Sequence, residues 1–333
     1  MFPSNLFAMR LRNTDRENSD LPGESLRASR PSIGIALGGG AARGWAHIGV
    51  LRALEEAGLR PDVIAGTSIG AVVGGCYTAG RLDALEAFAR SLSKRRVFNL
   101  MDFSFAGSGL LSGNRLGQLL NEAIGDTLIE DLPRHFACIA TELGTGHEIW
   151  LSKGHLVDAI RASYALPAVF KPVMVQNRWL IDGALVNPVP VSVCRAFGAR
   201  LVIAVNLNAD SFGRGTVVRA DDPIMGDIEE DLQDGAAGET PTLSAQRILR
   251  RQFLGSPGGP PGISTVMVDA FNIIQDRISR SRLAGDPPDI MIGPKTGSIG
   301  LFDFHCAKEA IHAGTEATRR VVEEIQQAIV ALS

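Results

Sequence analysis

The chain has 333 residues, 45% of them hydrophobic, and a formal net charge of −3. That length covers one large or two ordinary domains, and that apolar content builds a sizeable core, which sets aside wholesale disorder. The charge balance argues against a nucleic-acid partner recruited by charge. The four cysteines, Cys76, Cys138, Cys194 and Cys306, contain no C-x-x-C pair, which argues against a zinc site or disulfide framework and for buried free thiols in a reducing compartment.

Residues 1–30 are polar and mixed in charge, with Pro22-Gly23, and read as a flexible tail. The apolar stretch Leu6 to Met9 is broken by Arg10, too short for the apolar region of a signal peptide. No uncharged run reaches the roughly 18 apolar residues of a membrane span. The expectation is a cytoplasmic protein, at most peripheral to the inner face of a membrane.

From Ile33 the chain alternates strand-like and helix-like pieces. Ile33–Leu37 is short and wholly apolar, the pattern of a buried parallel strand. Ala41–Ala57 carries an apolar stripe through Ala46, Val50, Leu51, Leu54 and Ala57, so it reads as a helix ended by Gly58. Val63–Ala65 is the next strand. Ile69–Ala79 is small and apolar on most sides, a helix for the centre of the molecule, and Gly80 ends it. A further helix spans Leu82–Leu92. Residues 98–111 are rich in Phe, Leu and Gly without a clean period, and two readings stand: an apolar lip or lid, or core.

Phe136–Thr141 and His147–Leu151, joined through Gly144 and Gly146, predict a hairpin. His155–Ala165 is a short helix stopped by Pro167, and Arg178–Ile181 is a strand leading to Asp182. Val191–Phe197 is a helix closed by Gly198, followed by the buried strand Leu201–Val205. Residues 209–262 depart from this alternation: Asp221 to Glu239 holds eight acids and no base, so the stretch reads as a disordered surface insertion. A helix near Val266–Leu283, a strand at Asp289–Ile292 and one terminal helix from about Asp303 complete the chain. The pattern predicts an α/β fold, a mainly parallel central sheet with helices on both faces, in one domain over residues 31–333.

Three sequence features sit directly after strand-like runs, where open α/β sheets gather their chemistry. Gly66-Thr67-Ser68-Ile69-Gly70 is a G-x-S-x-G element, which places a serine on a sharp strand-to-helix turn flanked by small residues. The following helix aims its N-terminal N–H groups at the same place. Gly38-Gly39-Gly40-Ala41-Ala42-Arg43-Gly44 is neither a dinucleotide fingerprint, since Arg43 stands where the last glycine belongs, nor a P-loop, since Trp45 follows Gly44. It reads either as a tight turn or as a loop aiming N–H groups at a developing oxyanion. Arg43 either binds an anionic head group or fixes the loop.

A serine nucleophile needs a proton acceptor. His305 and His312 are the only histidines after Asp182, and neither follows a strand. Asp182-Gly183 ends an apolar strand at a turn. A carboxylate is a weak base in water, with a pKa of about 3.9, yet it serves when desolvated and within hydrogen-bond reach of the hydroxyl.

Taken together, G-G-G-x-x-R-G at Gly38–Gly44, G-x-S-x-G at Gly66–Gly70 and Asp182-Gly183 resemble the patatin-like phospholipases. Ala162-Ser163-Tyr164-Ala165-Leu166-Pro167 looks like a further segment of that family, and Asp289–Pro294 with Gly300–Phe304 looks like the tail of its compact bacterial members. The resemblance implies a three-layer patatin-like fold and a Ser68–Asp182 dyad without histidine. It also implies an oxyanion hole from the Gly38, Gly39 and Gly40 N–H groups, and no metal or cofactor. The implied reaction is hydrolysis of phospholipid or lysophospholipid acyl esters through an acyl-enzyme. A short-chain esterase or thioesterase and a slow, lipid-sensing module are the other readings. One departure stands out: Ala184 follows Asp182-Gly183 where many members carry a second glycine.

Overall fold

The computed structural model describes residues 30–100, 114–167, 169–208 and 263–333. The tail at 1–29, the acidic stretch 209–262 and residues 101–111 of the apolar stretch therefore lie outside the described residues. Phe98–Leu100 belong to a helix.

Eight strands form one sheet: β1 Ile33–Leu37, β2 Val63–Thr67, β3 His135–Glu142, β4 Glu148–Leu151, β5 Val173–Val175, β6 Arg178–Asp182, β7 Leu201–Val205 and β8 Ile290–Ile292. Their order is β5-β6-β3-β2-β1-β7-β8, with β4 also paired to β3. The centre is parallel: β1 pairs with β2 and β7, β2 with β3, and β7 with β8. One side is antiparallel, through β3–β4, β3–β6 and β5–β6. Strands β1, β2 and β7 are buried at every position, which is why they read as unbroken apolar runs rather than alternating ones.

The helices are α1 Ala46–Glu56, α2 Ile69–Thr78, α3 Leu82–Arg90, α4 Lys94–Leu100, α5 Asn114–Ile124, α6 Leu156–Ser163, α7 Val191–Ala196, α8 Ile263–Gly285, α9 Ala307–Arg319 and α10 Val322–Leu332. They make a layer on each face of the sheet. Ile33, Ile35 and Leu37 of β1 point into the larger core with α1, α2 and α9. Ala36 points into a second core with Val63, Val193, Cys194 and Val202. The mainly parallel sheet with helices on both faces is thus the observed architecture.

Several elements differ from the sequence reading. The expected helix at 41–57 begins as a 3-10 turn, Ala41–Trp45, before α1. Ala41 there has φ 49°, so the loop enters by a left-handed step that a regular helix forbids. Gly58 ends α1 with φ 73°, as the C′ glycine rule requires. The terminal helix is two helices. A tightened bond from Val321 N–H to Thr318 O (2.9 Å) breaks it, and the turn lets α10 bury Ile325. Strand β5 and helix α4 lack a clear period and lie outside the pattern read above, whereas α5 carries an apolar stripe through Leu116, Leu119, Leu120, Ala123 and Ile124 that the reading passes over.

Candidate active site

Three chain segments converge at the carboxyl end of β2. The first is the turn from β2 into α2. Ser68 has φ 56° and ψ −120°, a strained conformation for a residue with a side chain, costing about 1–3 kcal/mol. The flanking glycines permit it. A Cβ on Gly66 would come within 2.5 Å of Gly70 O, and one on Gly70 would collide with Leu37 O. A serine at a helix N-cap ordinarily accepts, through its hydroxyl oxygen, a bond from one of the helix's own first N–H groups. Ser68 makes no such bond. Its backbone carbonyl accepts from Ala71 (2.9 Å) and Val72 (3.2 Å) instead, and the hydroxyl is left for another partner.

That partner comes from the end of β6. The Ser68 hydroxyl donates to Asp182 Oδ2 at 2.6 Å. Sheet register explains how groups so far apart in sequence meet. Thr67 of β2 lies opposite Ile139 of β3, and Ala140, the next residue, lies opposite Asp182. Gly183 then crosses over β3, where a Cβ would collide with Ile139 O. Asp182 is held from every side: its N–H donates to Ala165 O (3.0 Å) and its O accepts from Thr141 Oγ1 (2.8 Å). Oδ1 accepts the Ala184 N–H at 2.8 Å. Asp182 is 1% exposed. Burial pushes its carboxyl up to about 7, against the opposing pull of the bonds from Ser68 and Ala184.

The third segment is the glycine loop after β1. Gly38 N–H donates to Val205 O (3.1 Å) and Gly39 N–H to Pro188 O (2.9 Å). Both donors are taken by the scaffold in this structure, whereas the sequence reading has Gly38 and Gly39 present theirs to substrate. The N–H groups of Gly40 and Ala41 carry no hydrogen bond among the described residues, and both residues line the cavity beside Ser68. Ile69 fills the space where a side chain on Gly44 would sit, which seats the loop against the start of α2. His47, fully buried, fixes the loop from beneath through a 2.7 Å bond between Nε2 and Gly38 O. Burial lowers its pKa to about 4, so the ring is neutral at pH 7 and Nε2 carries the proton it donates.

Arg43 acts as a tether. Its Nε donates to Ile299 O (2.8 Å) and its Nη1 to Asn208 Oδ1 (3.3 Å), and it does not line the cavity. Of its two expected roles, fixing the loop is the one this geometry displays. His305 lies near Asp303 at 3.9 Å and His312 is exposed on α9; neither lines the cavity.

The cavity opens to solvent and sets Ser68 and Asp182 among the apolar side chains of Leu166, Phe271, Leu301 and Phe302. A hydroxyl bonded to a buried carboxyl group, beside two backbone N–H groups that carry no hydrogen bond among the described residues, is an arrangement that acyl transfer can use.

Comparison with known proteins shows the family of the chain. The family model "Patatin-like phospholipase" matches residues 35–195. An uncharacterized NTE family protein of Mycobacterium tuberculosis (strain ATCC 25618 / H37Rv) is 32% identical over 340 residues, covering 90% of this chain and 93% of that protein. This chain belongs to the patatin-like phospholipase family. A second uncharacterized NTE family protein of the same strain is 30% identical, over 89% of this chain and 47% of its own length. The lysophospholipase NTE1 of Coccidioides immitis is 32% identical, over 89% of this chain and 18% of its own. Membership supports lipid acyl hydrolase activity. Among the described residues no helix is long and apolar enough to cross a membrane.

Sequence reasoning missed several residues that shape this patatin-like site. Ser163, 0% exposed, accepts the Ser68 N–H (3.0 Å) and donates to Ile139 O (2.6 Å), pinning the strained turn to β3. Its signal was a serine inside the Ala162–Pro167 segment, noted there without a role. Thr67 Oγ1 donates to Asn187 O (2.8 Å), tying β2 to the loop after Asp182. Phe271, Asn272 and Gln275 reach the cavity from α8, far downstream of the family match, and nothing in their spacing marked them.

Proposed function

We propose that this chain is a serine hydrolase of lipid acyl esters, phospholipid or lysophospholipid, with Ser68 as nucleophile and Asp182 as its base. The observation that carries the reading is the 2.6 Å bond from Ser68 Oγ to a buried carboxylate, made by a serine held in a strained turn. As Ser68 Oγ attacks the ester carbonyl, its proton passes to Asp182 and the carbonyl electron pair moves onto oxygen. The Gly40 and Ala41 N–H groups receive that charge. The tetrahedral intermediate collapses to an acyl-Ser68 ester, the leaving alcohol takes the proton from Asp182, and water repeats the sequence to free the acid.

Burial of Asp182 supports this role physically. A carboxyl near 7 is a far better proton acceptor than one at its ordinary value, and it is half ionised at neutral pH. The apolar lining from Leu166, Phe271, Leu301 and Phe302 suits an acyl chain, and the name of the fungal relative favours a lysophospholipid.

The test is an activity panel of phospholipids, lysophospholipids and short acyl esters, run on wild type beside Ser68→Ala. Hydrolysis and fluorophosphonate labelling are expected in wild type and absent in the variant. The rate on the preferred substrate should climb with pH to a plateau above about 7, because only ionised Asp182 accepts the proton. Labelling that persists in Ser68→Ala overturns the assignment. Equal rates on short and long acyl chains replace the lipid reading with a general esterase.

A further inference from the structure

Gln275 on α8 is a buried polar residue of the cavity that the mechanism above leaves unused. It is 4% exposed, and its carboxamide has no hydrogen-bond partner among the described residues. Its amide atoms open onto the cleft rather than being sealed in the core, so they are accessible to a group bound there. Its position says which group. Gln275 Nε2 lies 2.6 Å from the point where a Cβ on Gly39 would stand. That same point is 3.6 Å from Ser68 Cβ and 3.4 Å from Ala184 Cβ. The carboxamide nitrogen is therefore no further from Ser68 Cβ than the sum of the first two distances. Gln275 lines one wall together with Gly40, Ala41, Ser68 and Asp182.

The helix that carries it is docked. Ser279, one turn on, is 1% exposed, and Arg282 Nη2 donates to Glu148 Oε2 of β4 at 2.8 Å. Glu148 in turn accepts from Asn187 Nδ2 (2.7 Å), in the loop that Thr67 also holds. Gln275 is thus not needed to anchor α8, and its amide is free to act on what enters the cleft.

We propose that Gln275 contacts the substrate, donating a carboxamide N–H to the carbonyl oxygen of the ester held at Ser68 and completing the donor set begun by the Gly40 and Ala41 N–H groups. This rests on the serine-esterase reading above. The need arises from the loop itself: with the Gly38 and Gly39 N–H groups bonded to Val205 O and Pro188 O, the backbone offers fewer donors than the sequence implied. No atom passes through Gln275. It stabilises the negative charge that the carbonyl oxygen acquires when the Ser68 Oγ–carbon bond forms, and releases it when the carbonyl re-forms.

The test uses the full chain with Gln275→Met, which keeps length and removes the donor, and Gln275→Glu, which sets a negative charge against the oxyanion. Both are assayed with 4-nitrophenyl butyrate and with a long-chain lysophosphatidylcholine, each variant checked by its thermal midpoint. Loss of a side-chain oxyanion donor lowers kcat by roughly 10²–10³-fold. That loss is expected in Gln275→Met on both substrates alike with KM little changed, and a larger one in Gln275→Glu. A Gln275→Met kcat within threefold of wild type overturns the proposal. So does a loss confined to KM or to one substrate, which would mark a contact with the acyl chain or head group. Should the variants fail to fold, wild type phosphonylated at Ser68 decides: its phosphoryl oxygen should stand about 3 Å from Gln275 Nε2, and separation beyond hydrogen-bond range refutes the contact. Absence of hydrolysis and of Ser68 labelling in wild type removes the esterase reading and this inference with it. Hydrolysis that is indifferent to Gln275→Met removes the inference alone.

Discussion

Asp182→Asn should cost activity and yet stabilise the protein, in a pH-dependent way. Asparagine has the shape of aspartate, so its oxygen keeps the Ala184 N–H bond and its amide faces the Ser68 hydroxyl. The base is gone, and kcat is expected to fall by roughly 10²–10⁴-fold. Stability moves the other way. The carboxyl is 1% exposed and raised from 3.8 to about 7 by burial. A carboxyl raised on folding contributes stability fully present below its unfolded pKa and lost as pH rises through its folded value. The gap of about 3 pKa units, at 1.36 kcal/mol per unit, corresponds to about 4 kcal/mol that wild type gives up between pH 4 and pH 7. Asparagine gives up none of it. The variant's advantage should therefore open over that window and hold constant above it. Buried His47, lowered to about 4, produces an opposite trend over the same range, but it is present in both proteins and cancels in the difference. Urea denaturation of the two proteins at several pH values reads the effect directly. A difference that stays flat from pH 4 to pH 8, or that favours wild type as pH rises, refutes the buried-base argument. Undiminished hydrolysis refutes the dyad.

Two further outcomes test how the turn is held. Ser163→Ala strips the acceptor from the half-buried Ser68 N–H and the donor from the buried Ile139 O, so a loss of about 1–3 kcal/mol in urea denaturation is expected, together with a lower kcat at unchanged KM. An unaffected kcat would mean that the turn holds its shape without Ser163. Gly70→Ala drives a Cβ into Leu37 O, backbone against backbone, and should cost about 3 kcal/mol or more or abolish soluble expression. A thermal midpoint equal to wild type would show that α2 and β1 do not approach as closely as described.

Much of this molecule is written locally. Ile33–Leu37 and Leu201–Val205 are apolar at every position because both faces of a parallel strand are covered, and that can be seen without coordinates. The glycines at 66 and 70 declare a turn that only small residues allow, and Ser68 is the side chain that turn presents. The alternation of strand-like and helix-like runs likewise announced layers of helix on a sheet. What local pattern could not decide was which donors and acceptors are already used. Gly38, Gly39 and Gly40 look alike in sequence, but Val205 and Pro188, distant along the chain, take the N–H groups of the first two. Arg43 reads in sequence either as an anion binder or as a clamp on the loop, and its bonds to Ile299 and Asn208 display the second role. The pairing of Ser68 with Asp182 depends on β3 lying between β2 and β6 in one register, and the carboxyl is raised only because the assembled layers exclude water from it. Gln275 reaches the cleft only because α8 packs beside the turn after Asp182, which no local pattern announces. Steric permission is a property of neighbours in sequence, whereas hydrogen-bond occupancy and desolvation belong to neighbours in space, and the chemistry of this site rests on the second kind.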